Sequence, residues 1–309
     1  MLSKLKNTYE REGQEEDVRR LADLLQTNDQ EFTWWQSLNP ETDRVLSSED
    51  WVPAMRMMLG APLLVGDSIC GACGLDRLDA KGYHALCCAR AQSTIGHNRA
   101  RDCLAEMFWL ADPSTSIEVP GLCPSAPTLR PADILTRAGH ATKTLAVDVG
   151  IAAPHAAHAG SDAAETMRET KLDKYEPYSV ELDEQGITYA PATFTAYGRR
   201  HPCATNMLKT AATKVARRKG LESTKGLLRC WQRQLAAEIW RRAARMTKAC
   251  MPTRLRKGDQ IGSPTQDGED DDDDDDDEDQ KNEASTTNSD ARAHLRPAAP
   301  SSFGDIRLQ

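Results

Sequence analysis

No run in the 309-residue sequence approaches the roughly 18 consecutive apolar residues that a membrane helix needs. The opening MLSKLKNTYEREGQEEDVRR also lacks the apolar centre of a secretory signal. A membrane-spanning protein and a Sec-secreted one are therefore not expected, and the expected location is intracellular. Aromatic residues make up only 5% of the chain, but 39% is hydrophobic, enough for one large domain or two small ones. Disulfides are not expected either. Nine cysteines, an odd number, are spread from Cys70 to Cys250, which is no disulfide framework. In a reducing compartment such thiols bind metals or fill space. The net charge of −8 conceals a local imbalance: Asp267 to Asp279 holds 12 acids, and the rest of the chain is net +4.

The organisation follows from composition. Residues 1–31 read as a charged, solvated arm, and residues 32–64 as a helical, linker-like segment. In the latter Trp51, Met55, Met58 and Leu59 have helical spacing that stops at Gly60. Residues 65–100 are rich in Cys and His and poor in large apolar residues. Residues 101–202 supply a helix (101–111), strand candidates at 117–119, 131–135, 144–151 and 186–194, and a helix at 163–175. Residues 203–257 hold two basic helices, 204–218 and 224–250. Residues 258–309, with the polyaspartate run, are expected to be disordered. The order predicts an α/β fold, a small mixed sheet flanked by helices.

Two constellations carry chemistry. Cys70-Gly-Ala-Cys73, a tight turn aiming two thiols at one point, is followed by His84 and Cys88. Cys70, Cys73, His84 and Cys88 suit a tetrahedral, structural Zn²⁺, with Cys87 as a competing ligand and His97 as an alternative. A segment so poor in large apolar residues would gain most of its folding energy from the metal. The second constellation is Asp133 and Asp148, each in a strand-like segment. Two such carboxylates converging on one point form a hard oxygen site for Mg²⁺ or Mn²⁺. Lys171, Lys174 and Tyr175 share a face of the next helix, where an ammonium beside a phosphate would stabilise developing charge. Spacing alone favours ordinary strand-end aspartates and surface lysines.

The order of these motifs carries a resemblance. Cys70-x-x-Cys73-Gly74, Gly82-Tyr-His84-Ala-Leu-Cys-Cys88 and Gly96-His97-Asn98-x-x-Arg101-Asp102 come first. Arg130-Pro131-Ala132-Asp133, Val147-Asp148-Val149, Lys171-x-x-Lys174-Tyr175 and Tyr197-Gly198-Arg199 follow. Over residues 32–250 the series resembles the C-terminal region downstream of reverse transcriptases in non-LTR-type eukaryotic retroelements. The resemblance implies a zinc knuckle followed by a PD-(D/E)XK, restriction-endonuclease-like fold. It implies a metal-dependent DNA endonuclease in which Asp133 and Asp148 hold Mg²⁺ or Mn²⁺ and Glu118 or Glu106 supplies a further acid. The family's lysine two positions after the second acid is replaced by Gly150, so its role passes to Lys171. No polymerase motif is recognisable, so the chain reads as a separated piece of such an element. A catalytically inactive nucleic-acid-binding protein, or a non-functional fragment, is the alternative.

From Arg199 to Lys257, 17 Lys and Arg face only Glu222 and Glu238, a net of +15. Leu228, Trp231, Leu235 and Ile239 form an apolar stripe. Arg217, Arg218, Lys219, Arg241 and Arg245 are the expected phosphate-tracking residues for DNA or RNA. Arg217-Arg218-Lys219 also reads as a nuclear-localisation patch. The acidic tail is a competitor for that basic face.

Overall fold

The computed structural model describes residues 2–37, 46–88, 91 and 93–252. The acidic tail, and with it the expectation of disorder, lies outside the described residues. The chain opens with helices α1 (Leu2–Arg11), α2 (Glu15–Gln26) and α3 (Asp29–Phe32), a 3₁₀ turn (Trp34–Ser37) and α4 (Ser48–Leu59). A hairpin, β1 (Ser68–Ile69) and β2 (Arg77–Leu78), leads to α5 (Tyr83–Cys87) and the long α6 (Ser93–Ala111). Strands β3 (Ser116–Ile117), β4 (Ile134–Thr136) and β5 (Thr144–Ala152) follow. After them come α7 (Ala163–Tyr175), α8 (Ser179–Glu184), β6 (Ile187–Thr195), α9 (Pro202–Lys219) and α10 (Lys225–Cys250). The fold is mixed α/β, with small sheets flanked by helices.

The four-stranded sheet has the order β3-β4-β5-β6. β5 is antiparallel to β4 and parallel to β6, so α7 and α8 form the crossover between the two longest strands. Its β-branched, apolar sequence TLAVDVGIA suits a central strand, and Leu145, Ala146, Val147 and Val149 are buried.

Helix α10 organises the rest. Its 26 residues, about 39 Å of helix, enter three apolar clusters in succession. Leu227, Trp231, Leu235 and Ile239 pack with α6, α9 and the sheet. Trp240, Ala243 and Ala244 pack with Trp34 and α4, and Met246 and Cys250 pack with the β1–β2 hairpin. The expected apolar stripe is therefore real, but α10 is a hub and not a flank.

Several expectations are corrected. The arm is not solvated throughout: α1 buries nothing, but α2 buries Asp17, Arg20, Leu21, Asp23 and Leu24. Buried charges need partners, and Asp23 accepts from Arg199 at 2.7 Å while Asp17 accepts from Tyr83 at 2.8 Å. In α4 the buried methionines are Met57 and Met58, whereas Leu59 is exposed. Gly60 ends that helix at φ 69° over the Arg20 guanidinium, where any side chain would collide. Helix α6 starts at Ser93, so the Cys/His segment stops short of residue 100. Strand β3 ends at Ile117 because Glu118 turns away with φ 50°.

Candidate functional site

The β1–β2 hairpin places Cys70 and Cys73 around its turn, which Gly74 closes at φ 69° by donating its N–H to the Cys70 carbonyl at 2.8 Å. His84 lies in the single-turn helix α5, and Cys88 caps it four residues later, on the same side. The ligand atoms of Cys70, Cys73, His84 and Cys88 all lie within 4.8 Å of one another. Cys70 Sγ is 3.9 Å from Cys88 Sγ, and Cys73 Sγ is 3.6 Å from His84 Nε2. Asp76 Oδ2 lies 3.9 Å from His84 Nδ1 and accepts from Cys73 Sγ at 3.8 Å. Burial opposes ionisation of Cys70, but backbone N–H groups of Cys73 and Ala72 outweigh it and lower its thiol. Four such donors fit one metal ion. Cys88 completes the set, while Cys87 is exposed and outside it. His97 is elsewhere, at the acidic pair.

Antiparallel pairing of Ile134 with Val147 continues to place Asp133 opposite Asp148. Asp133 Oδ2 accepts from the Val149 N–H at 2.7 Å and lies 3.4 Å from His97 Nε2. Asp148 accepts from Lys171 Nζ at 2.6 Å on Oδ1 and from the Tyr189 hydroxyl at 2.6 Å on Oδ2. The two carboxyls are pushed apart. Burial works against ionisation of Asp133, but the His97 ring, the Val149 N–H and the Lys171 charge bring it below the ordinary value. At Asp148 burial, reinforced by Asp133, prevails over Lys171 and Tyr189 and raises it.

Gly150 explains how Lys171 gets there. A Cβ at residue 150 would sit 2.7 Å from Lys171 Cε and 2.9 Å from Met167 Cγ. The lysine stem occupies the space that a side chain would take. Lys174 is exposed and lies over the Tyr175 ring, so Lys171 is the lysine at the acids. Arg199 anchors the start of α7: it donates to Asp162, the N-cap of that helix, at 2.6 Å and to Asp23 at 2.7 Å.

Glu118 does not join the acids. Its carboxylate is held by Arg101 and Arg130, although its N–H donates to the Asp133 carbonyl at 2.9 Å. Among the described residues, the Cys–His set is the one group of three or more such donors within 4.8 Å. Neither Glu118 nor Glu106 therefore makes a three-acid cluster with Asp133 and Asp148.

The basic residues divide. Arg217, Arg218 and Lys219 are exposed at the end of α9, with Arg218 also donating to the Ala111 carbonyl. Arg241 is buried and paired with Glu238, and Arg245 holds Asp50 at 3.0 Å. Helix α10 is too central to offer a continuous positive face, which corrects the expectation for Arg241, while Arg245 stays exposed beside Asp50.

The sequence reading placed neither His97, which it weighed as an alternative zinc ligand, nor Tyr189 at the acid pair. The signal for Tyr189 was in register: β6 runs parallel to β5, and Ala146 faces Tyr189 on the side of the sheet that carries Asp148. Comparison with protein-family models, curated proteins and solved structures gives no match. No described helix is long and apolar enough to cross a membrane.

Proposed function

We propose that the chain is a metal-dependent DNA endonuclease of the retroelement reverse-transcriptase C-terminal kind, with a restriction-endonuclease-like core and a structural zinc in the Cys70–Cys73–His84–Cys88 set. The observation that carries the reading is Lys171 Nζ at 2.6 Å from Asp148, across the strand pair from Asp133. Two carboxylates suit Mg²⁺ or Mn²⁺, which complete their coordination with water and phosphate oxygens. Such an ion would supply Lewis acidity and offset phosphate charge when bound. Lys171 stabilises the charge that develops on the phosphate, and Tyr189 and His97 fix the orientation of the two acids. The mixed sheet with its α7–α8 crossover supports the fold assignment. The exposed Arg217-Arg218-Lys219 patch supports nucleic-acid binding and nuclear entry.

A second reading is a nucleic-acid-binding protein without activity, favoured by the arginine pairing of Glu118. A plasmid-nicking assay with Mg²⁺ or Mn²⁺ separates the two. Wild type should nick DNA and stop with EDTA, and Asp148→Ala should bind without nicking. Binding by wild type without nicking under any divalent ion would select the second reading.

A further inference from the structure

A cleft of about 230 Å³ is lined by Ser93, His158, Thr166, Thr170 and Arg242, by apolar residues from Ile151 to Met246, and by Cys87 and Cys88 of the Cys–His segment, with no carboxylate. Arg242 is only 8% exposed, and its Nε has no hydrogen-bond partner. Among the described residues no acid pairs with it. A buried guanidinium whose Nε is unpartnered is costly, and its planar fork of N–H groups matches an oxyanion better than any other ligand. Burial brings Arg242 down to about 10, still charged at neutral pH.

Two walls connect this cleft to the acidic site. Ser93 opens α6, whose first N–H groups have no partner within the helix and carry the positive end of its dipole. The Arg242 stem is pressed against α6 at Gly96, where a Cβ would collide with it, and the next residue is His97, at Asp133. On the other wall, Met167 and Thr170 line the cleft from α7, and Lys171 follows directly. The cationic cleft and the acid pair therefore share α6 and α7.

We propose that this cleft is a phosphate site, with Arg242 as its charged ligand and the α6 N-terminus and the Thr166 hydroxyl as further donors. Resting on the endonuclease reading, it takes a phosphodiester group of the bound strand next to the one that is cut. It positions the strand over Asp133 and Asp148 and touches no reacting atom.

The test uses the full, metal-loaded chain and inorganic phosphate. Phosphate should raise the melting temperature of wild type saturably. Arg242→Met should weaken the phosphate affinity by about tenfold or more, the scale of one charge-assisted bond, and Arg242→Lys should retain part of it. If Arg242→Met does not fold, Thr170→Glu, a change at an exposed residue, should abolish the response by placing a carboxylate at the mouth. In DNA binding, Arg242→Met should also lower the salt dependence by about one phosphate contact. An unchanged slope would overturn the strand assignment. The phosphate response is read without cleavage. Nicking by a wild type that shows no phosphate response would sink the site and leave the endonuclease. A phosphate response lost in Arg242→Met, in a chain that never nicks, would keep the site and reject the endonuclease. If Arg242→Met lowers the metal content and leaves the phosphate response intact, Arg242 is a counter-charge to the Cys–His set and the proposal fails.

Discussion

The Lys171 ammonium lies 2.6 Å from Asp148 Oδ1, and its Cε lies 2.7 Å from where a Cβ would stand at residue 150, two positions further along the same strand. Gly150→Ala should therefore displace the lysine while leaving both acids in place. We expect a nicking rate at least about tenfold lower, since a displacement near 1 Å can cost a hundredfold. The accompanying destabilisation should be about 1–3 kcal/mol from overpacking. Nicking kinetics beside urea unfolding check both. If Lys171 carries the lysine role, Lys171→Ala with Gly150→Lys should recover activity over Lys171→Ala alone.

The metal set distinguishes two adjacent cysteines. Wild type should hold about one zinc per chain, the stoichiometry of a four-ligand site. Cys88→Ser should lose it and Cys87→Ser should keep it. Elemental analysis of the purified variants decides, and equal metal contents for the two would contradict the ligand assignment.

Arg199 joins α2 to the cap of α7 through Asp23 and Asp162. Arg199→Met leaves Asp23 buried without its cation and should destabilise by about 3–5 kcal/mol. Asp23→Asn combined with Arg199→Met should be less destabilised than the sum of the single variants. Chemical denaturation of all four proteins gives the coupling.

The α2 contact should also shape acid stability. Burial opposes ionisation of Asp17, but bonds from Lys81, Tyr83 and Arg20 overcome it and lower its carboxyl. A lowered carboxyl stabilises the fold above its unfolded value of about 4 and loses that contribution as pH falls through the lower folded value. Asp17→Asn should be less stable than wild type at pH 7, with the gap closing below pH ~4. Thermal melting across pH measures it. A gap that is constant down to pH ~2 would deny Asp17 this role.

The exposed end of α9 is where nucleic-acid affinity should reside. Arg217→Glu with Lys219→Glu should weaken DNA binding and lower its salt slope by roughly 2, one for each phosphate contact. Arg241→Glu should act on stability, because that arginine is buried. Fluorescence anisotropy against salt, together with melting, separates the two effects.

What the sequence conveyed was local. Cysteine spacing identified the four-donor set, and the β-branched run of residues 144–151 identified the central strand, because turns and pleats are written in adjacent residues. Lys171 was singled out by the resemblance and not by helical phase, which puts Lys174 and Tyr175 on the same face; its Nζ lies 2.6 Å from Asp148. Burial of α2 was not legible, since Asp17, Arg20 and Asp23 look like surface charges until partners from residues 81, 83 and 199 reach them. The same limit applied to α10. Periodicity marks an apolar stripe, but not that other elements also cover the opposite side, so Arg241 read as exposed. His97 and Tyr189 met the acids through tertiary register, which no short window contains.

The Gly71 N–H donates to the Cys250 carbonyl at 2.7 Å, and a Cβ at Gly71 would stand 2.5 Å from the carbonyl oxygen of Met251. The hairpin that carries two of the four Cys–His donors is therefore seated on a helix end that is synthesised about 180 residues later. At about 5–20 residues per second, that is roughly 10–35 s of translation. During this interval the thiols of Cys70 and Cys73 wait on the ribosome without their seat. The Cys–His segment and its seat on α10 therefore come together only after nearly all of the described chain has been made.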